Sequence, residues 1–184
     1  MNITELTTPL KEEVTSKLKA GDLVEITGTI YSARDAAHKR FVESLQKGEK
    51  LPFDIKGQVI YYVGPCPAKP GQIIGSAGPT TSGRMDKYTP QLLECGLKAM
   101  IGKGQRNQKV IDSIVANKGV YFSAVGGAAA LIAKRIKKSE IIAYDDLGAE
   151  GVRKMEVEKL PLIVAVDSNG NDFYKQGKNN YLLK

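Results

Sequence analysis

Residues 98–125, KAMIGKGQRNQKVIDSIVANKGVYFSAV, decide how the chain is to be read. KAMIG (98–102) and GVYFSAV (119–125) are short apolar runs of the kind that lie in a buried sheet, and QRNQKVIDSIVANKG between them repeats apolar residues at helical spacing. Val110, Ile111, Ile114 and Val115 share one face of that helix, and Gly119 is placed to end it as a left-handed cap just before the next strand. Two strands joined through a helix lie side by side in parallel, so this stretch predicts a crossover unit.

Outward from it the same order recurs. QIIGSA (72–77), a glycine-rich loop and a helical stretch to Cys95 make a unit at 72–95; 98–117 is the second; GVYFSAV with the helix of GGAAALIAKRIKK makes a third at 119–137. Pro90 forbids one uninterrupted helix from Ser82 to Cys95 and demands either a kink or a restart with Thr89 as cap. DLVEITGTIY (22–31), KGQVIYYVG (56–64) and EIIAYDD (140–146) read as further strands, ARDAAHKRFVESLQKG as a helix ending at Gly48, and PLIVAVDSNGNDFYKQG as a terminal hairpin turning at Asn169-Gly170. The expected fold is α/β, a single domain over 1–184 with a mainly parallel central sheet, helical crossovers and additional antiparallel strands from both ends of the chain.

Composition narrows the function. With 42% hydrophobic and 26% charged residues the chain is neither disordered nor fibrous. No apolar run reaches the roughly 20 residues of a membrane span, and MNITELTTPLKEEV lacks the apolar core of a signal peptide, so no membrane partner is expected and the cytoplasm is the expected compartment. The net charge of +7 raises nucleic acid as a partner, but the lysines are spread and no basic stripe is interleaved with aromatics. The charge is read instead as solvated surface plus cations for a small anion. Cys66, Cys95 and the single His38 are too few for a self-contained zinc or iron–sulfur site, so no metal is expected on this chain alone. Both cysteines read as reduced thiols in or near the core, with Cys66 in GPCPAKPG the more exposed.

Three loops point at an anion. GSAGPTTSGR, GKGQRN and VGGAAA, the last with Gly126 and Gly127, each place glycines between a strand's end and a helix's start. In open α/β sheets ligands bind there, where helix N-termini offer free N–H groups. Arg84 adds a two-pronged carboxylate donor and Lys103 a point charge. Neither GxxxxGK[ST] nor GxGxxG can be read at any loop, which disfavours a nucleotide and leaves phosphate in another form open. In SARDAAHKRFVESL, Ala37, Phe41, Val42 and Leu45 form the buried stripe of a helix, and Arg34 and His38 fall on the same stripe. A cation at a helix's first turn opposes its dipole, so Arg34 should meet an acidic partner or an anionic ligand. His38 is read as a buried or supporting residue before a catalytic one.

The motifs LTTPL, GTIYSARDAAHKR, GPTTSGRMD, MIGKG, DLGAEGVRKMEVEKLP and VDSNGNDFY run in order from near residue 6 to residue 174. In them the chain resembles the beta subunit of class I, iron–sulfur-dependent fumarases and of the related tartrate dehydratases. The resemblance implies a swivelling β/β/α domain, which other members carry as the C-terminal half of one polypeptide. It implies an alpha-subunit partner in a hetero-oligomer, holding a [4Fe–4S] cluster on three cysteines with one iron open to a small dicarboxylate substrate, and reversible addition of water across a double bond. It further implies that Arg34, Arg84 and Lys103 grip the substrate's carboxylates and hydroxyl. Thr80 would be the candidate base, with Thr81, Ser82 and Asp86 orienting it and His38, Gly126 and Gly127 in support. A threonine hydroxyl serves as a base only where neighbouring charge or a hydrogen-bond chain displaces its proton. Gly83 between Ser82 and Arg84 fits the fumarase form of the motif, so fumarate and L-malate are expected before tartrate. The alternatives are a tartrate dehydratase beta subunit, a non-catalytic module that binds a carboxylated or phosphorylated metabolite, and a structural subunit that only covers a partner's cluster.

Overall fold

A computed structural model describes residues 3–124 and 127–181, with side chains as far as residue 177. The strands are β1 (Ile3–Thr7), β2 (Leu23–Ser32), β3 (Val59–Tyr61), β4 (Ala99–Gly102), β5 (Val120–Ser123), β6 (Ile136–Ala143) and β7 (Val152–Val166). The helices are α1 (Glu12–Thr15), α2 (Asp35–Gln46), α3 (Thr89–Glu94), α4 (Gln108–Ala116), α5 (Ala129–Arg135) and α6 (Phe173–Tyr181), with 3-10 turns at Ser82–Met85 and Asp145–Glu150.

The crossover expected in this stretch forms over its described residues, 98–124. β4 and β5 pair in parallel, Ala99 with Val120 through Gly102 with Ser123, and α4 buries Val110, Ile111 and Ile114 between them in sequence. The Asn107 side chain caps α4 by accepting from the Val110 N–H at 2.9 Å. At its other end the left-handed residue is Lys118, φ 51°, not Gly119, whose N–H closes the turn on the Ile114 carbonyl at 2.9 Å. β2, β3 and β4 extend the parallel arrangement, and β1 adds to β2 in parallel.

The antiparallel component is mostly one long strand. β7 pairs with β2 from Arg153 to Ile163, with β6 from Val152 to Val157 and with β5 from Ile163 to Val166. Because it neighbours both β2 and β5, the pairings close into a ring β2–β3–β4–β5–β7. A bulge opposite Thr27, with Lys159 at φ 48°, bends β7 between its two sets of partners. Residues 158–162 lie past β6 and short of β5, so Pro161 sits where one edge of the strand has no ladder. Alternate residues feed two cores: Val59, Tyr61, Ile101 and Phe122 join Ile26, Ile30 and Val164 on one face, while Ile60, Met100 and Tyr121 pack with Phe41, Leu92 and Ile114 of the helices on the other.

Four expectations need correction. QIIGSA is not a strand: residues 62–80 carry no helix or strand, and the strand that enters the first crossover is the very short β3. Glycines at 71, 75 and 78 and prolines at 65, 67 and 70 break what the apolar pair Ile73-Ile74 suggests. Pro90 is accommodated by the restart, one of its two expected routes, with the 3-10 turn at Ser82–Met85 followed by α3, but the cap is Tyr88 and not Thr89, which is already the first helical residue, and Pro90 takes a first-turn position. The third helix ends at Arg135 and the strand expected at 140–146 runs from Ile136 to Ala143. The terminal hairpin is reduced to one bridge, Val166 to Asp172, after the turn at Asn169-Gly170; the Asp172 carboxylate then accepts from the Tyr174 N–H at 2.9 Å and starts α6.

Candidate functional site

The carboxyl ends of β2, β3 and β4 bring the expected residues to one edge. Arg34 follows β2 after Ala33, and Lys103 follows β4 directly. Between them runs the segment Thr80–Ser82: the Thr80 N–H donates to the Tyr62 carbonyl at 2.7 Å, the Lys103 N–H to the Thr80 carbonyl at 3.2 Å, and the Ser82 N–H to the Lys103 carbonyl at 2.9 Å. Thr81 and Lys103 form an isolated parallel bridge. The backbone of Thr80 and Lys103 is thus fixed as an extra rung between two strand ends. Thr80 is half-buried, Thr81 and Lys103 are exposed, and neither the Thr80 hydroxyl nor the Lys103 ammonium bonds a described residue.

Arg34 and Arg84 meet over one carboxylate. Asp35 Oδ2 accepts from Arg84 Nη2 at 2.7 Å, and Asp35 Oδ1 lies 3.8 Å from Arg34 Nε. Arg34 also pairs with Glu150, Nη2 to Oε1 at 3.1 Å, from the 3-10 turn that follows β6. The inward, acid-paired position agrees with the stripe of α2, in which Ala37, His38 and Phe41 are buried. Gly64 makes this possible: a Cβ there would come within 2.8 Å of Arg34 Nη1. Burial raises the Asp35 carboxyl, but its own backbone N–H and the guanidinium groups of Arg84 and Arg34 outweigh it and hold it below the usual carboxylate value. Arg34 Nε, Asp35 Oδ1 and Glu150 Oε2 are buried without hydrogen-bond partners among the described residues, so the cluster keeps unused polar capacity. Beside it lies a depression of about 390 Å³ lined by Asp35, Ala36, Lys39, Arg84, Lys87 and Tyr88.

The supporting residues behave differently from the expectation that they orient Thr80. Ser82 is buried and its hydroxyl lies 2.8 Å from that of Tyr121, which itself donates to the Gly104 carbonyl at 2.8 Å. Asp86 accepts from Arg106 Nε at 2.7 Å and from the Asn107 N–H at 2.8 Å. Neither side chain bonds Thr80. Burial first, and then the nearby positive charge of Arg106, push His38 down to about 4 against the Arg34 carbonyl and Asp35, so it is neutral at pH 7. Its Nδ1–H donates to the Arg34 carbonyl at 2.8 Å, and its ring packs edge-on to Tyr62, centroids 5.2 Å apart. Gly127, φ 84°, precedes α5, whose first residue accepts a hydrogen bond from the Ala77 N–H at 3.2 Å; Gly126 lies outside the described residues.

Arg106 was missed by the sequence reading. Its side chain is fully buried, donates to Asp86, to Thr89 Oγ1 at 2.8 Å and to the Tyr62 hydroxyl at 3.4 Å, and lies between the rings of Tyr62 and Tyr121. An arginine in a glycine loop reads as a surface cation, and nothing in GKGQRN announces a buried one. Cys66 is exposed, Cys95 is half-buried against the helical core, and among the described residues there is no group of three or more His, Cys, Asp or Glu side chains that could hold a metal ion. No helix among them is long and apolar enough to cross a membrane.

The family model for the fumarase C-terminus matches residues 1–177. The chain belongs to that family. It is 41% identical over 176 residues to "Fumarate hydratase class I, aerobic" of Escherichia coli, covering 94% of this chain and 32% of that protein. It is 39% identical over 173 residues to "Putative L(+)-tartrate dehydratase subunit beta" of Methanocaldococcus jannaschii, covering 91% of this chain and 89% of that one. "Putative fumarate hydratase class I" of Geobacillus stearothermophilus is 34% identical over 184 residues, which are 35% of its length. The fumarase C-terminus chain therefore spans about a third of the length of the fumarate hydratases it matches, and nearly the whole of the beta subunit.

Proposed function

We propose that this chain is the beta subunit of a two-chain hydro-lyase that reversibly hydrates fumarate to L-malate, and that it supplies the anion-binding half of a site shared with an alpha subunit. The observation that carries this reading is the Arg34–Asp35–Arg84 cluster beside the Thr80–Lys103 rung: two guanidinium groups share one carboxylate at the edge where four candidate residues converge. Two planar forks match a dicarboxylate, and a substrate carboxylate would take the place Asp35 now fills on Arg84. Lys103 stands where charge develops on an oxygen in the transition state, a position in which a fixed cation contributes most. Thr80 moves the proton at carbon. Its hydroxyl has no hydrogen-bond partner among the described residues, so the group that lowers its proton affinity comes from the substrate, from Lys103 or from the alpha subunit. A [4Fe–4S] cluster on that partner would supply a Lewis-acidic iron that polarises the leaving hydroxyl.

Mixing the chain anaerobically with a cluster-bearing alpha chain and assaying malate, fumarate and tartrate tests the reading. The expected result is a colourless, inactive chain by itself and a brown, active complex. Turnover of malate by the isolated chain without metal would sink the shared-site reading. Tartrate as the preferred substrate would support the second reading, a tartrate dehydratase beta subunit, which the near full-length match to such a subunit favours. Binding without turnover in the complex would favour the metabolite-binding module.

A further inference from the structure

Lys103 has an exposed side chain on a glycine-flanked loop, yet its neighbour is held at both ends. The Gly104 carbonyl accepts from the Tyr121 hydroxyl at 2.8 Å, and the Gly104 N–H donates to the Tyr174 hydroxyl at 3.1 Å. Gly104 is in the left-handed region, φ 83°, which an L side chain rarely adopts, so this backbone kink is specific. The two phenols arrive from separate elements. Tyr121 is buried on β5 with the Ser82 hydroxyl against it, so one hydroxyl pair also ties the Thr80 segment to the Lys103 loop. Tyr174 comes from the first turn of α6, and its hydroxyl lies 2.9 Å from Ser123 Oγ of β5.

The VDSNGNDFY motif, for which the proposed reaction has no use, accounts for the arrival of Tyr174. Asp167 accepts from the backbone N–H groups of Asn169 and Asn171 at 2.9 and 3.0 Å and so fixes the turn, and Asp172 starts α6. We infer that Tyr121 and Tyr174 are positioning residues for Lys103: they clamp the two backbone polar groups of Gly104, and the clamp aims the ammonium along the edge that carries Thr80. The inference rests on the reading of Lys103 as a site residue. Neither phenol is among the residues assigned to grip the substrate. A lysine stem keeps its own rotatable bonds whatever its backbone does, so a fixed root removes the backbone's share of the misplacement and leaves the stem's to be settled by the ligand it meets.

The test uses the complex with the alpha chain and the variants Tyr121→Phe, Tyr174→Phe and Lys103→Met, separately and combined. Each Tyr→Phe is expected to lower kcat about tenfold with a smaller change in KM, the scale of one lost buried hydrogen bond expressed as misplacement. Lys103→Met should lower kcat further, and adding either Tyr→Phe to it should bring no additional loss. In Tyr174→Phe the Gly104 amide should also exchange faster with solvent deuterium. Wild-type kcat in both tyrosine variants, with Lys103→Met inactive, overturns the positioning role and leaves the site intact. A tyrosine loss that persists unchanged on top of Lys103→Met also overturns it, because the phenols then serve the fold. Wild-type kcat in Lys103→Met removes Lys103 from the site and this inference with it. Should Tyr121→Phe fail to fold, Tyr174→Phe, from a half-buried position, decides alone.

Discussion

Two arginine–aspartate pairs stand close together at the carboxyl end of the sheet, and they differ in what is left over. Arg106 meets Asp86 in the interior; its guanidinium also reaches Thr89 and Tyr62, two tyrosine rings cover its faces, and none of its side chain is exposed. Arg84 meets Asp35 at the surface with 49% of its side chain exposed and shares that carboxylate with Arg34. The chemistry is the same in both. A saturated, desolvated pair has nothing to offer a ligand and holds α4 to the turn before α3, whereas the half-exposed Arg84, in a cluster where Asp35 and Glu150 balance the two guanidinium groups, can exchange Asp35 for a ligand's carboxylate.

The strongest way to break this comparison is to remove each arginine's charge. Arg106→Met leaves Asp86 buried opposite no cation and is expected to destabilise the chain by about 3–5 kcal/mol, read as a lower urea midpoint. Arg84→Met, at a half-exposed pair, should cost less than about 1 kcal/mol in the same assay. Similar losses at both positions would mean that the two pairs do the same job.

Next in size is the effect of Thr80→Val, nearly isosteric and without the oxygen. In the complex it is expected to lower kcat by on the order of 10²-fold, the usual scale for a general acid–base group, while substrate affinity changes far less. Wash-in of solvent deuterium at the substrate's methylene carbon should slow in step with turnover. Exchange at the wild-type rate would make Thr80 a positioning residue and send the search for the base to the alpha chain.

How much of this was legible in the sequence follows the length scale of the interactions. The α4 crossover was legible because apolar spacing acts within a few residues. The inward position of Arg34 was legible because the stripe of α2 is also local. QIIGSA misled because two adjacent isoleucines look like a strand although the glycines and prolines around them forbid one. β7 was read only from PLIVAV onward, since five of the eight residues of VRKMEVEK are charged; those charges are tolerated because Glu156 accepts from the Thr29 hydroxyl across the ladder, and Glu158 pairs with Lys137 and Lys159 with Glu5 at the surface. Arg106 and the Tyr121–Tyr174 clamp were illegible for one reason: each bridges residues that only the fold brings together, over separations of 17 to 70 positions.

His38 touches both regions, bonding the Arg34 carbonyl on one side and packing on Tyr62 on the other. Its folded value of about 4 lies below the ordinary 6.5, so the unfolded chain takes up a proton before the folded one does. The stability linked to it is therefore complete above pH 6.5 and is lost as pH falls from 6.5 to 4, by at most about 1.4 kcal/mol per pH unit. His38→Asn keeps a donor for the Arg34 carbonyl and removes the titration, so its stability should fall less steeply than wild type across that window. Parallel curves for the two proteins would show that His38 is reached by protons in the folded state.

The finest test applies one substitution to both pairs. Lysine keeps the charge of arginine and gives up the planar fork. At residue 106 a lysine cannot serve Asp86, Thr89 and Tyr62 together, so Arg106→Lys should lower the urea midpoint while the site, where the protein is folded, keeps its substrate affinity. At residue 34 a lysine can still reach Glu150 as a point charge but cannot grip a carboxylate with two parallel bonds, so Arg34→Lys should leave the midpoint in place and lower kcat/KM roughly fivefold. The two variants are thus expected to move opposite observables. If Arg34→Lys instead loses stability in proportion to activity, its bond to Glu150 is a structural salt bridge, the carboxylate-binding edge contracts to Arg84 and Lys103, and the difference between the two pairs becomes one of exposure alone.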